Sequence, residues 1–161
     1  AIVAAIVLIG DQLSKHWAET WLRTNGEYKI WDGVLHLRYV ENRGAAFGMM
    51  QGGKWFFLAI TGIACAAMLY FLIKERKRLH FMMTFSIALL LSGAIGNLID
   101  RVALGYVRDM IYVALIDFAV FNVADMAVTV GCCLLVLDLL FFKGKKYMEM
   151  MDKKPQTGEN S

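Results

Sequence analysis

Residues 81–101 read FMMTFSIALLLSGAIGNLIDR, an apolar run that ends in Asn97, Asp100 and Arg101. As a helix, residues 81–99 would extend about 28 Å at roughly 1.5 Å per residue, close to the roughly 30 Å hydrocarbon core of a bilayer. The stretch therefore predicts a membrane-spanning helix with polar side chains at one end only. It decides the fold, because the other apolar runs of the chain must pack around it.

Two further apolar runs precede this stretch and one follows it. The four predicted spans cover residues 1–21, 55–73, 81–99 and 121–142. The chain is 58% hydrophobic and 19% charged, with one proline, which excludes an ordinary soluble domain. The sequence predicts an all-α integral membrane protein with four transmembrane helices, forming one domain over residues 1–147. Residues 148–161 are expected to be a disordered polar tail. Because the chain opens at Ala1 rather than methionine, we expect the first span to lack its start.

The segment between the first two runs predicts local structure of its own. Residues 27–41 are rich in β-branched and aromatic residues around Asp32-Gly33, a strong hairpin signal. They predict a small extracytoplasmic antiparallel β-sheet. Residues 45–51 predict a short helix at the membrane interface.

Basic residues predict the orientation. They cluster between the second and third spans and again after the fourth, at Lys74, Arg76, Lys77, Arg78, Lys143, Lys145 and Lys146. Such clusters favour the cytoplasmic side, so we expect a multi-pass protein with both termini in the cytoplasm. The net charge of +3 is read as this topology signal, and no nucleic-acid partner is expected. Cys65, Cys132 and Cys133 lie inside apolar runs, and neither a metal site nor a cofactor is predicted.

Polar residues gather at the outer end of the spans. Asn97 and Asp100 are three residues apart, as are Asn122 and Asp125, so each pair shares one helix face. A charged residue inside a span costs about 2.5–3.5 kcal/mol on insertion scales, so each requires an explanation. Asp11, Lys15, Asn42 and Asp109 are expected in the same layer. The convergence of these clusters predicts a functional site.

Structural explanations remain open for several of them. Asp11 and Lys15 have the spacing of a helical ion pair, Asn97 could bond a neighbouring helix, and Arg101 could anchor the helix at the headgroups. Asp138 lies on the opposite helix face from Asp125, and no function is assigned to it.

Asp109 and Asp125 lack a cationic partner at helical spacing, and Arg108 should point away from Asp109 on an extended segment. Two partly buried carboxylates close together cannot both ionise cheaply, so such a pair shares one proton. One carboxyl group can then take a proton from water while the other donates a hydrogen bond to a scissile carbonyl. That is aspartyl protease chemistry. A small transporter or ion pathway using intramembrane carboxylates, and a structural assembly subunit, are the alternatives.

Five ordered blocks of the sequence resemble the bacterial lipoprotein signal peptidase family, also called signal peptidase II. They are Asp11-Gln12-Leu13-Ser14-Lys15, Asn42-Arg43-Gly44-Ala45-Ala46-Phe47, residues 93–101, Gly105-Tyr106-Val107-Arg108-Asp109 and Phe121-Asn122-Val123-Ala124-Asp125. Two residues depart from the family's pattern, since Arg108 and Met110 stand where family members have valine and phenylalanine.

The resemblance implies an aspartyl endopeptidase of the bacterial cytoplasmic membrane. Such an enzyme removes signal peptides from diacylglyceryl-modified prolipoproteins by cleaving before the lipidated cysteine, near the outer face of the membrane. It implies Asp109 and Asp125 as the catalytic pair. It implies supporting or substrate-binding roles for Asp11, Lys15, Asn42, Gly44, Asn97, Asp100, Arg101 and Asn122. The expected partners are lipid-modified prolipoproteins and membrane lipids, and the expected oligomeric state is a monomer.

Overall fold

The computed structural model describes residues 2–44 and 54–142. Its four long helices are α1 (Ile2–Trp17), α2 (Lys54–Glu75), α3 (Phe81–Ala103) and α4 (Val123–Phe141). Three strands, β1 (Tyr28–Trp31), β2 (Leu35–Asn42) and β3 (Val107–Val113), form one antiparallel sheet. The interfacial helix predicted at residues 45–51 and the tail at residues 148–161 lie outside the described residues.

Three of the helical segments are long and apolar enough to cross a membrane: Trp55–Glu75, Phe81–Ala103 and Val123–Phe141. The mostly helical class with a small antiparallel sheet, predicted from sequence, is confirmed. The first helix differs in detail from the expected span 1–21. After Trp17 it widens into a π-helical segment, Ala18–Leu22, and then closes with an α-helical turn, Arg23–Asn25.

The helices α3 and α4 touch along their backbones because glycines remove the side chains between them. A Cβ atom added to Gly93 would collide with the carbonyl oxygen of Ala124, and one added to Gly131 would lie 2.8 Å from the carbonyl oxygen of Ser86. This contact brings the C-terminal end of α3, which carries Asn97, next to the N-terminal end of α4, which carries Asp125.

The opposite end of the α3–α4 pair is joined by a polar contact. His80 precedes α3, and its Nε2 atom lies 2.8 Å from Oδ1 of Asp138, whose side chain is fully buried. Around it, Met83 and Ile87 of α3 pack with apolar side chains of the neighbouring helices. Asp138 therefore has a structural partner far from the other polar side chains of α4.

The sheet begins with the predicted hairpin. β1 and β2 are joined at residues 32–34, with Gly33 at a φ of +72° that favours glycine. The third strand, β3, lies outside the range of residues 27–41 predicted to form the sheet. It forms because β2 supplies the backbone partners, pairing Asn42 with Val107 and Val40 with Asp109. The sheet thereby fixes the position of Asp109.

Candidate active site

Alternation along β3 divides its side chains between two surroundings. Arg108 and Met110 face the first helix, where Met110 packs with Ala18 and Leu22. Val107 and Asp109 point the other way and line a cavity of about 520 Å³. Successive side chains of a strand point to opposite faces. The strand is thus held to the first helix on one side and presents Asp109 on the other.

Asp109 is 2% exposed, and its carboxylate is held by two asparagine amides. Its Oδ2 accepts a hydrogen bond from Nδ2 of Asn42 at 3.0 Å, and its Oδ1 accepts one from Nδ2 of Asn122 at 2.6 Å. Burial, together with the negative charge of Asp125, raises the pKa of Asp109 to about 7 against the lowering effect of the two amide hydrogen bonds. The group can therefore hold a proton near neutral pH.

Asp125 lies in the first turn of α4 and lines the same cavity. Its Oδ1 accepts from Nδ2 of Asn97 at 2.8 Å, and its Oδ2 accepts from the backbone N–H of Asn122 at 3.1 Å. Oδ1 of Asn122 in turn accepts from the N–H of Asp125, which completes a capping box at the start of the helix. Asn122 therefore joins the two carboxyl groups, with its side chain on Asp109 and its backbone on Asp125.

Lys15 lies beneath the pair, and its side chain is fully buried. Its Nζ atom lies 2.9 Å from Oδ2 of Asp11 and donates to Oδ1 of Asn97 at 2.9 Å. The bond to Asn97 fixes the orientation of that amide, so its Nδ2 is left to donate to Asp125. The expected ion pair between Asp11 and Lys15 is present, and Asp11 also accepts from the N–H of Ala124 at 2.9 Å.

Asp100 is fully buried and lies 3.6 Å from Lys15 Nζ through its Oδ2 atom. Its principal partner is Arg108, which donates to it from the side chain and from the backbone N–H. Asp100 thus lies behind the cavity, away from Asp109. Arg101, the next residue, lines the cavity instead, with its guanidinium carbon 5.2 Å from the centre of the Phe57 ring.

The remaining expected site residues lie on the same cavity. Gly44 lines it, and the N–H of Gly44 donates to Oδ1 of Asn42 at 3.1 Å, which helps to orient the amide that bonds Asp109. The rest of the wall is mainly apolar, from the segment 118–121 and from Met126 and Val130 of α4. The structure therefore gathers the residues expected at the site around one cavity, either lining it or directly behind its wall.

Three buried or half-buried side chains at the site were not singled out from the sequence. They are Gln12, Glu19 and Arg108. Arg108 donates to the other two, and Gln12 also donates to Asp100. Glu19 follows Lys15 by four residues, a spacing that indicates a shared helix face. Arg108 was expected only to point away from Asp109, and it does. Among the described residues, no group of three or more histidine, cysteine, aspartate or glutamate side chains is arranged to hold a metal ion.

Comparisons with known proteins agree with this arrangement. A family model described as signal peptidase (SPase) II matches residues 3–141. A lipoprotein signal peptidase of Streptococcus thermophilus is 46% identical over 138 residues, covering 85% of this chain and 90% of the relative. One of Clostridioides difficile is 44% identical over 145 residues, covering 89% and 97%.

A solved structure described as a bacterial membrane enzyme, determined by the in meso method, superposes with a TM-score of 0.79 at 34% identity. The match covers 98% of this chain and 93% of the solved one. These relatives give no support to the transporter alternative. With the match of the family model over most of the chain, they show that this protein belongs to the signal peptidase II family.

Proposed function

We propose that this protein is a membrane aspartyl endopeptidase that removes signal peptides from diacylglyceryl-modified prolipoproteins, with Asp109 and Asp125 as the catalytic pair. The observation that carries the proposal is that these two carboxyl groups share one cavity and one hydrogen-bonding residue. Both line one cavity, both bond to Asn122, and both are held by amides rather than by ion pairs. The names of the curated relatives, lipoprotein signal peptidase, supply the substrate class.

The chemistry follows from one proton shared by two acids. In the proposed mechanism the shared proton resides on Asp109, whose pKa is raised to about 7, and Asp125 acts as the carboxylate. Asp125 takes a proton from a water molecule as the water oxygen attacks the scissile carbonyl carbon, while Asp109 donates its proton toward the carbonyl oxygen. The tetrahedral intermediate collapses when Asp125 passes its proton to the leaving amine and Asp109 recovers one from the intermediate.

The location of the cavity suits a substrate cut at the edge of a bilayer. We assign four spans, with the first formed by α1, and place the sheet on the outer side. The basic cluster after α2 lies at the opposite end of the helices from Asp109 and Asp125, which supports cytoplasmic termini. The apolar cavity wall suits a lipid-modified cysteine next to an apolar signal helix.

The proposal is tested by cleavage of a diacylglyceryl prolipoprotein by the purified full-length chain. Wild type should cut before the lipidated cysteine, whereas Asp109→Asn and Asp125→Asn should each lose at least about a thousandfold in kcat, because neither can carry the proton that the pair exchanges. Product masses establish the position of the cut.

Thr129→Val serves as the matched control, since Thr129 lines the same cavity but bonds only the carbonyl oxygen of Asp125 through its hydroxyl. It should keep kcat within about threefold, because no transferred proton passes through it. Full cleavage by either aspartate variant, shown to be folded by circular dichroism, would rule out the catalytic pair.

A further inference from the structure

Arg108 is a buried arginine with an unusually complete set of partners. Its side chain is 11% exposed. It donates to both oxygens of Asp100, at 3.2 and 2.8 Å, to Oε2 of Glu19 at 2.9 Å and to Oε1 of Gln12 at 3.1 Å. Glu19 lies in the π-helical segment Ala18–Leu22. One guanidinium group thus ties β3 to α3 and to both parts of the first helix.

These contacts bear directly on Asp109, which is the next residue along the strand. The backbone N–H of Arg108 donates to Oδ2 of Asp100 at 3.0 Å, so the strand is held at its backbone as well as through the side chain. The side chain of Arg108 does not line the cavity. Arg108 therefore acts on the cavity only through its neighbours.

We propose that Arg108 is a positioning residue, which holds Asp109 at the correct distance and orientation relative to Asp125. It does so through its bonds to Asp100, Glu19 and Gln12. The inference rests on the proposed function, because it concerns the geometry of that catalytic pair. It adds a role for the π-helical segment, which presents Glu19 to the strand. Single π turns within α-helices are frequently found at functional sites.

A second route connects Arg108 to Asp125. Lys15 is shared between Asp11, Asn97 and Asp100, and it lies farther from Asp100 than from the other two. If the guanidinium were removed, the fully buried Asp100 would be left with Lys15 as its only salt-bridge partner among the described residues. A buried carboxylate strongly favours a cation, so Lys15 would move toward it and release Asn97. The amide that bonds Asp125 would then lose its fixed orientation.

The test compares kcat and KM for prolipoprotein cleavage. Arg108→Met keeps length and removes the charge, and it should lower kcat about 10- to 100-fold, the scale of loss that a misplaced catalytic group causes. KM should stay within about twofold, because the side chain is outside the cavity. Arg108→Lys keeps a cation but cannot reach all three partners at once, and it should lower kcat about 3- to 10-fold.

A double-mutant cycle tests the link through the first helix. Glu19→Gln should lower kcat about 3-fold in the wild-type background and have no further effect in Arg108→Met, because the two side chains act as one unit. Arg38→Met is the matched control. Arg38 is an arginine of the same sheet that stacks on Tyr112 and is outside the network around Asp100, so it should keep wild-type kcat.

The inference would be overturned if Arg108→Met kept kcat within twofold of wild type or raised KM alone. It would also be overturned if the effects of Glu19→Gln and Arg108→Met on kcat multiplied in the double variant, or if Arg38→Met lost as much kcat as Arg108→Met. If Arg108→Met does not fold, Arg108→Lys decides, and an unchanged kcat there rejects the role. Asp109→Asn separates the two proposals. Activity in that variant defeats the proposed function, whereas its inactivity beside a fully active Arg108→Met defeats only the positioning role.

Discussion

At the scale of single residues, the site separates its acids by the kind of partner each one has. Asp11 forms an ion pair with Lys15, and Asp100 forms one with Arg108. Asp109 and Asp125 are held by neutral amides. An amide fixes the position of a carboxyl group without adding a full charge, as the proposed exchange of a proton between the two acids requires. That division explains how adjacent acids of one type can have different roles.

The pH dependence of cleavage should report the proton on Asp109. Burial and the charge of Asp125 raise its pKa to about 7, so Asp109 is protonated below that pH and ionised above it. Since the proposed pair requires one proton, kcat/KM should fall about tenfold per unit as the pH rises above about 7. Initial rates at low substrate concentration, measured from about pH 6 to 9, give this fall in kcat/KM.

The sign of the effect makes this prediction testable. If Asp109 acted as an ionised base alone, activity would rise through the same range instead of falling. A profile that is flat to about pH 9 would contradict a titrating acid in that position. Thermal unfolding measured at each pH separates the loss of activity from loss of the fold.

The sequence was sufficient to relate each asparagine to the aspartate three residues later, although Asn122 meets its aspartate as the cap that precedes α4 and not on a face of the helix. It was not sufficient to find the partners of Arg108. Glu19 and Arg108 are 89 positions apart, and no local pattern indicates that a strand will place them together. Such contacts depend on the packing of the first helix against the sheet.

At the scale of elements, the junction of α3 and α4 was easier to predict than the third strand. A helix of this length and hydrophobicity is determined by its own residues, and Gly93 marks the close contact. β3 depends on hydrogen bonds to β2, whose residues precede it by more than sixty positions. A seven-residue segment between two helices carries no turn signal that would reveal this pairing.

Substituting Gly93 should therefore damage the site from a distance. In Gly93→Ala the new methyl group meets the carbonyl oxygen of Ala124 and the side chain of Val128, so α3 and α4 must separate near Asp125. Overpacking of this kind costs about 1–3 kcal/mol. We expect a lower midpoint of thermal unfolding in detergent and a lower kcat.

Gly62→Ala is the control for that experiment. Gly62 lies in α2, and a Cβ atom built there meets nothing within 4 Å. Its midpoint should stay the same or rise slightly, because alanine favours a helix over glycine by about 1 kcal/mol. Equal midpoints for the two variants would show that the helix junction tolerates separation.

At the scale of the whole molecule, the two ends of the helices differ in chemistry. One end carries the cavity and the sheet, with aromatic side chains such as Trp17, Trp21 and Trp31 exposed near it. The other carries the basic residues that follow α2. Aromatic side chains favour the interface and basic residues favour the cytoplasmic side, so the asymmetry predicts one orientation.

Cysteine labelling in intact cells tests that orientation. In a background with Cys65, Cys132 and Cys133 replaced by alanine, Asp32→Cys should react with a membrane-impermeant maleimide from outside. Arg78→Cys should react only after permeabilisation. Both native side chains are accessible, at 76% and 66% exposure. The reverse labelling pattern would place the cavity on the inner side and reject the proposed topology.

The apolar middle of the α3–α4 pair has a consequence for the energised membrane. The buried polar side chains between the cavity end and Asp138, within the described part of these helices, are Ser86 and Ser92. Each hydroxyl donates to a carbonyl of its own helix, Ser86 to Met82 and Ser92 to Leu89. A relay of mobile protons would need acceptors spaced along the whole depth. Protons used in the proposed hydrolysis would therefore exchange with water at the cavity end, and the described part of the α3–α4 pair offers them no relay through which the protonmotive force could be lost.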